Sequence, residues 1–194
     1  MDMAFDVQNE VSDETLLVLY GNGDAAASRA LTLRLTPRVL GYASRILNDP
    51  AEAEDVAQEA MLRLWRIAPE WRQGEAKVST WLYRVVANLC TDRLRKRRSV
   101  DIDSIAEPED DAPGAEAQLQ AASRAKALEE ALQTLPERQR QAVVLRHIEG
   151  LGNPEIAEVL EISVEAVESL TARGKRMLTA ALSGRREELG YGDG

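Results

Sequence analysis

Twenty residues in the middle of this chain cannot fold alone, and they decide how the rest is arranged. Residues 99–118 carry seven acids, no base, two prolines and one glycine. They hold too few large apolar side chains to offset the entropy cost of ordering, so the stretch reads as a flexible acidic linker. Extended to its edges, the linker covers 99–120. It separates a module at 1–98, whose first dozen residues read as a disordered tail, from a second at 121–184, followed by a tail at 185–194.

On either side the residues favour helix. Ala, Leu, Glu and Arg dominate, and β-branched alternation is scarce, so the expected fold is all-α with two small helical domains. Asp13 opens a run ended by Gly21-Asn22-Gly23, and Asp24 can cap a second through Leu31, Leu35, Val39 and Ile46. Pro37 lies inside that second run and either kinks it or starts a new helix. A third helix is expected from about Ala51 to Ile67. A fourth is expected from a cap at Ser79 or Thr80 to about Arg98. At 100° per residue, Leu82, Val85, Val86, Leu89 and Leu94 share one side of it. Arg84, Ala87, Asn88, Thr91, Asp92 and Arg95 share the other, and Arg95-Lys96-Arg97-Arg98 ends it. Arg93 projects near the apolar side, so it either emerges beyond the core or pairs with an acid.

In the second module, residues 121–134 read as a helix, and Pro136 suits the first turn of the next, which runs through Ile148 to Gly150. Asn153-Pro154-Glu155 reads as an N-cap followed by proline at the first helical position. A short helix to Leu160, a turn at Glu161-Ile162-Ser163 and a longer basic helix from Val164 to about Ser183 make a helix-turn-helix. Its turn lacks the common glycine. On the long helix Val167, Thr171, Gly174, Leu178 and Ala181 face inward, whereas Glu165, Ser169, Ala172, Arg173 and Arg176 face outward. Small outward residues let such a helix approach a major groove, and the arginines reach phosphates or guanine edges.

Whole-chain charge at first opposes that reading. The chain has 33 acids against 24 bases, a net charge of −9. Residues 1–28 and 99–118 contribute −13 of it, which leaves +4 on the remainder. The bases bunch at 84–98 and 169–186. Whole-chain charge therefore does not exclude DNA. Other classes are excluded more firmly. The longest apolar runs are too short to span a membrane, and the N-terminus lacks the pattern of a secretory signal, so a cytoplasmic protein is expected. One cysteine and one histidine leave no disulfide framework, no zinc site and little catalytic chemistry, so no metal, cofactor, catalytic residue or small-molecule substrate is expected. Cys90 reads as an inert buried thiol rather than a redox sensor, since no second cysteine can resolve it. His147 reads as a surface or packing histidine.

The segments together resemble extracytoplasmic-function sigma factors of the bacterial sigma-70 family. Residues 53–59 and 64–66, 74–82 and 88–95 resemble region 2. Leu135-Pro136 with Arg140, then Glu149-Gly150-Leu151, Glu155-Ile156-Ala157 and the helix-turn-helix resemble region 4. The resemblance covers about 13–98 and 121–183. It implies an initiation factor without enzymatic activity that binds core RNA polymerase and directs it to promoter DNA. Region 2 would recognise and help open the −10 element, and region 4 would read the −35 element. It also implies control by an anti-sigma factor.

Residue by residue, the resemblance sets Asp55, Gln58, Glu59 and Leu62 on the polymerase-clamp segment. The plainer reading of the acids is a solvated helix face, and that of Leu62 and Trp65 is core. For the −10 element it selects Lys77, Ser79, Thr80, Arg84, Asn88, Asp92, Arg95 and Lys96, with Arg97 and Arg98 adding phosphate contacts. Capture of an extruded base by the loop at 73–79 would supply sequence information. Trp71, Trp81 and Tyr83 offer rings for base stacking, although Trp81 also reads as core. For the −35 element it selects Arg140, Pro154, Glu155, Glu165, Ser169, Arg173 and Arg176. Free amides at Pro154–Ile156 are expected to meet a phosphate. This chain departs from the family by carrying Glu168 and Leu170 where basic residues are common. Glu168 either accepts from a cytosine amino group or sits near solvent. The rival readings are a stand-alone helix-turn-helix regulator that binds duplex DNA without polymerase, and an acidic helical adaptor that binds only protein.

Overall fold

The computed structural model describes residues 11–72, 74, 76–100 and 116–183. Among these it is helical throughout, with no strand. The expected tails at 1–12 and 185–194 lie almost wholly outside the described residues, as does the middle of the expected linker, 101–115.

In the first module, α1 (Asp13–Gly21), α2 (Ala25–Leu47), α3 (Pro50–Ile67) and α4 (Val78–Val100) form a bundle. The first three starts have a local cause. Ser12 accepts from the Thr15 amide, Asp24 from those of Ala26 and Ala27, and Asp49 from that of Glu52. Such caps satisfy amides that a helix leaves unpaired at its start. Helix α3 begins at Pro50, one residue before the expected Ala51. Helix α2 is continuous through Pro37, so it is one element and not two. Leu31, Leu35, Val39, Ala43 and Ile46 recur at helical spacing and are fully buried against Ala53, Val56, Ala60 and Leu64 of α3. Burying each of the larger side chains contributes ~1.5–3 kcal/mol.

Helix α4 departs from expectation at its start. It begins at Val78, so Ser79 and Thr80 lie within it and neither caps it. The Val78 amide instead donates to Glu14 of α1 at 3.0 Å. A carboxylate from a distant element thus replaces a local cap, and adjacent sequence could not reveal it. Arg93 resolves as an ion pair with Asp55, at 3.6 Å.

The second module comprises α5 (Glu116–Gln133), α6 (Glu137–Val143), α7 (Asn153–Leu160) and α8 (Val164–Ser183). After α6 the chain widens into a π-helical turn at Val144–Ile148, marked by the Glu149 amide donating to Val144 O at 3.0 Å. The turn closes at Gly150 (φ 76°), and the Leu151 amide donates to Leu145 O at 2.9 Å. Between α7 and α8, Glu161 takes the left-handed conformation (φ 54°) that glycine usually supplies. The absent glycine is thus replaced in geometry, not avoided. Ile156, Val159 and Val167 close the small core with Leu132 and Val143.

At the end of α1, Gly21 lies against backbone: a Cβ there would sit 2.7 Å from Ala68 O. Backbone cannot swing aside as a flexible side chain would. Gly21→Ala is expected to destabilise the protein by ~1–3 kcal/mol, read as a lower urea midpoint at unchanged m-value.

Candidate nucleic-acid and polymerase surfaces

Helix α3 turns its outer face to solvent. Asp55, Gln58 and Leu62 are exposed, Leu62 to 44%, so Leu62 is not core. Glu59 is half-buried and pairs with Arg63 at 2.8 Å. Trp65 is half-buried, its ring edge-on to Tyr20 at 4.7 Å. Two shallow clefts flank this face. One, of about 460 Å³, is lined by Thr36, Leu40, Met61, Leu62 and Trp65. The other, of about 470 Å³, has Gln58, Leu62 and Leu89 beside Asp92 and Lys96. The first offers an apolar floor with an acidic rim, a chemistry suited to a protein partner.

On α4, Arg84, Asn88, Asp92 and Arg95 form one exposed stripe, with Lys96 beside it. Arg95 and Asp92 pair at 3.3 Å. Two residues assigned to that polar side behave otherwise. Ala87 is buried and Thr91 is half-buried, because the second module packs there. Thr80 is 6% exposed and faces the core, so it is not available to DNA in this arrangement. Arg97 is also not a free phosphate contact. It donates to Leu47 O at 2.9 Å and is held by Asp49 and Glu52 at 2.9 and 2.6 Å, tying α4 to the α2–α3 corner. Arg98 pairs with Glu137. Trp71 and Trp81 pack edge-on at 6.2 Å, both half-buried, so Trp81 belongs with the core.

The long helix α8 presents Glu165, Ser169, Ala172, Arg173 and Arg176 to solvent, as its periodicity predicts. Val167 and Gly174 are buried on the opposite side. Glu168 is exposed, and Leu170 packs partly against the core, which accounts for a non-basic residue at 170.

The start of α7 corrects an expectation. The cap is Gly152, not Asn153, and the Glu155 carboxylate turns back to accept from the Gly152 amide at 2.8 Å. The same carboxylate takes a hydrogen bond from Lys77 Nζ at 2.7 Å. The Glu155 carboxylate thus takes the Gly152 amide, the Ile156 amide donates to Gly152 O at 3.0 Å, and Pro154 has no amide to give. Arg140 is likewise engaged. It donates to Gln133, whose own amide donates to Arg45 O of the first module at 2.8 Å. Burial lowers the Arg140 pKa from its ordinary value.

His147 is exposed, beside Lys175 in an apolar cleft, and burial followed by the Lys175 and Arg146 charges lowers its pKa. Among the described residues no cluster of His, Cys, Asp and Glu could hold a metal, and no helix is long and apolar enough to cross a membrane.

Cys90 is fully buried, and burial pushes its thiol up to about 12. Thiolate is the reactive species. The native protein is therefore expected to resist a thiol-disulfide reagent such as DTNB at pH 8 and to react at once in urea; rapid native labelling would contradict this.

The Lys77 hydrogen bond, followed by the Gly152 amide, depresses the Glu155 pKa below its ordinary 4.5. A depressed acid adds stability above its unfolded pKa and loses it as pH falls through the folded one. The stability difference between the wild type and Glu155→Gln should therefore shrink on acidification from pH 7 to 3. Urea midpoints across that range measure it.

Comparison with known proteins follows the same division. Residues 31–100 match the family model for Sigma-70 region 2, and residues 125–178 match that for Sigma-70, region 4. The RNA polymerase sigma-H factor of Pseudomonas aeruginosa is 34% identical over 181 residues, spanning 88% of this chain and 93% of that protein. The ECF RNA polymerase sigma factor SigM of Mycobacterium tuberculosis is 35% identical over 181 residues, spanning 93% and 89%. Among solved structures, CnrH in complex with the cytosolic domain of CnrY superposes with a TM-score of 0.64 at 26% identity, covering 89% of this chain and 97% of that one.

Proposed function

The chain belongs to the extracytoplasmic-function group of the sigma-70 family, and on that premise we propose that it binds core RNA polymerase and directs it to promoters with −35 and −10 elements. The observation that carries this is the order of its two modules: a region 2 bundle followed by a region 4 helix-turn-helix, each with a solvent-facing surface suited to its task.

In this reading Asp55, Gln58, Glu59 and Leu62 of α3 meet polymerase. Their support is the outward acidic face and the apolar cleft beside it. The −10 element is met by Lys77 and Ser79 and by the stripe Arg84, Asn88, Asp92 and Arg95 with Lys96. The spacing of the stripe matches one edge of a helix laid on DNA. Thr80 acts from within the core, by holding the start of α4. For the −35 element, Ser169, Arg173 and Arg176 read bases or position the helix, with Glu165 at its start. Arg140 and Glu155 reach DNA only after their present contacts open, whereas Pro154 is already exposed beside them. The chain works without catalysis, cofactor or small-molecule substrate, in the cytoplasm where polymerase is. An anti-sigma factor holds it inactive. The likeness to CnrH, solved with a partner's cytosolic domain bound, supports that last point.

The stand-alone regulator is disfavoured, because region 2 would then have no polymerase to meet. The test is transcription with purified core polymerase over a promoter library, with the transcripts sequenced. Start-site selection is expected, and its absence would refute the reading. Arg173→Ala and Arg176→Ala should each cost ~1–3 kcal/mol at promoters that need a −35 element and little at those that do not. Equal activity of both variants on both promoter types would remove these arginines from the interface.

A further inference from the structure

Helix α8 orders its charges along its length. Its exposed acids, Glu165 and Glu168, fall within the first two turns, and its exposed cations, Arg173, Lys175 and Arg176, all come later. Ser163 holds the helix start, its hydroxyl accepting from the Ala166 amide at 3.2 Å. Glu165, Glu168, Ser169 and Ala172 follow at spacings of three and four, so they share one exposed face. When such a helix enters a major groove, its N-terminal residues meet the base edges.

The two acids on that face are held differently. The Glu165 carboxylate accepts from its own amide and from the Ser163 hydroxyl, and these bonds lower its pKa from the ordinary value. It is turned back on the helix start. Glu168 has no hydrogen bond or ion pair among the described residues. One turn away on either side stand Val164, Glu165, Thr171 and Ala172, none of them a cation. The first cation on its own edge is Lys175, ~10 Å further along the axis. The helix dipole does not account for Glu168 either. That effect fades beyond the first turn, and Glu168 is the fifth residue of α8.

We propose that Glu168 selects a cytosine, on one strand or the other, at one position of the −35 element. This assignment rests on the reading of α8 as the −35 helix, and it names the base chemistry that the helix would choose.

A carboxylate can only accept hydrogen bonds. In the major groove guanine presents it with two acceptors, N7 and O6, and thymine with O4 and a methyl group. Neither base gives it a donor, and a desolvated carboxylate without one is costly. Adenine has the N6 amino group but sets the acceptor N7 beside it. Cytosine has the N4 amino group and no acceptor in the groove, so it suits a carboxylate best. Ser169 and Ala172 are short, which lets the backbone come within a glutamate's reach of a base edge. Arg173 leans back along the opposite flank, its Nε donating to Ser169 O at 3.3 Å. Phosphate held by the later cations makes an acid in the groove tolerable.

The test is transcription by the full chain with core polymerase from promoters randomised through the −35 element, with the transcripts sequenced. The wild type is expected to favour cytosine over guanine by ~10-fold at one position. Glu168→Gln can bond adenine at N6 and N7 together, so it should move that position alone to adenine. Glu168→Ala should leave the position without preference. Glu161→Gln removes a charge from the turn before α8 and should keep the cytosine. If the wild type and both Glu168 variants rank the bases alike at every position, the assignment is overturned. It is overturned equally if Glu168→Gln raises transcription from all sequences by the same factor, which is the effect of charge alone. Start sites selected with an unchanged base ranking would sink this assignment and spare the sigma-factor reading. No start-site selection at all would sink both.

Discussion

One helix, α4, has to satisfy three neighbours at once, and the rest of the structure depends on how it does so. Its buried side, through Leu82, Val86 and Cys90, completes the first module's core. Its end is pinned by Arg97 to the α2–α3 corner, and its beginning is held by the Glu14 carboxylate. A second flank, at Tyr83, Ala87 and Thr91, takes the second module. The stripe from Arg84 to Arg95, with Lys96 beside it, is left for solvent. A helix used on three sides has little tolerance for rotation. A change that turned α4 by one residue position, about 100°, would misplace all of these contacts together.

The acids also divide by location. Glu59 and Asp55 sit on an outer face with basic neighbours, whereas Glu137, Glu149 and Glu155 point into the seam between modules. A net charge of −9 thus sums populations with different tasks. Some acids keep an outer surface hydrated, and others hold the protein's own cations. That separation is why the total charge says little about affinity for DNA, while the position of a few carboxylates says a good deal.

Much of the fold was legible because its causes are local. The helix start at Asp24, the inward spacing of Leu31, Leu35 and Val39, and the outward face of α8 all follow from side chains within a few residues of one another. What was not legible depends on distant residues. The cap of α4 comes from Glu14, 64 positions away. Ala87 and Thr91 read as solvent-facing because nothing near them announces the second module. Arg97 was grouped with its basic neighbours because a run of cations looks uniform in sequence, yet only the residue whose direction meets Asp49 and Glu52 becomes structural. For the candidate site, the exposed stripe of α4 and the outward face of α8 could be read. The engagement of Arg140, Lys77 and Glu155 with other parts of the chain could not, because sequence gives the chemistry of a side chain and not its present occupant.

The π-helical turn at Val144–Ile148 bears on how such a chain can diverge. It is a helical turn with one residue more than an α-helix needs. A descendant that lost a single residue there could close the turn as ordinary helix, with no break in the backbone hydrogen bonding. A π-turn of five residues and an α-turn of four both complete about one revolution, so everything downstream would keep nearly its present bearing relative to α6. Helices α7 and α8 would keep both their own sequences and their direction. The turn is therefore a place where relatives can differ in length by one residue without re-aiming the helices that follow.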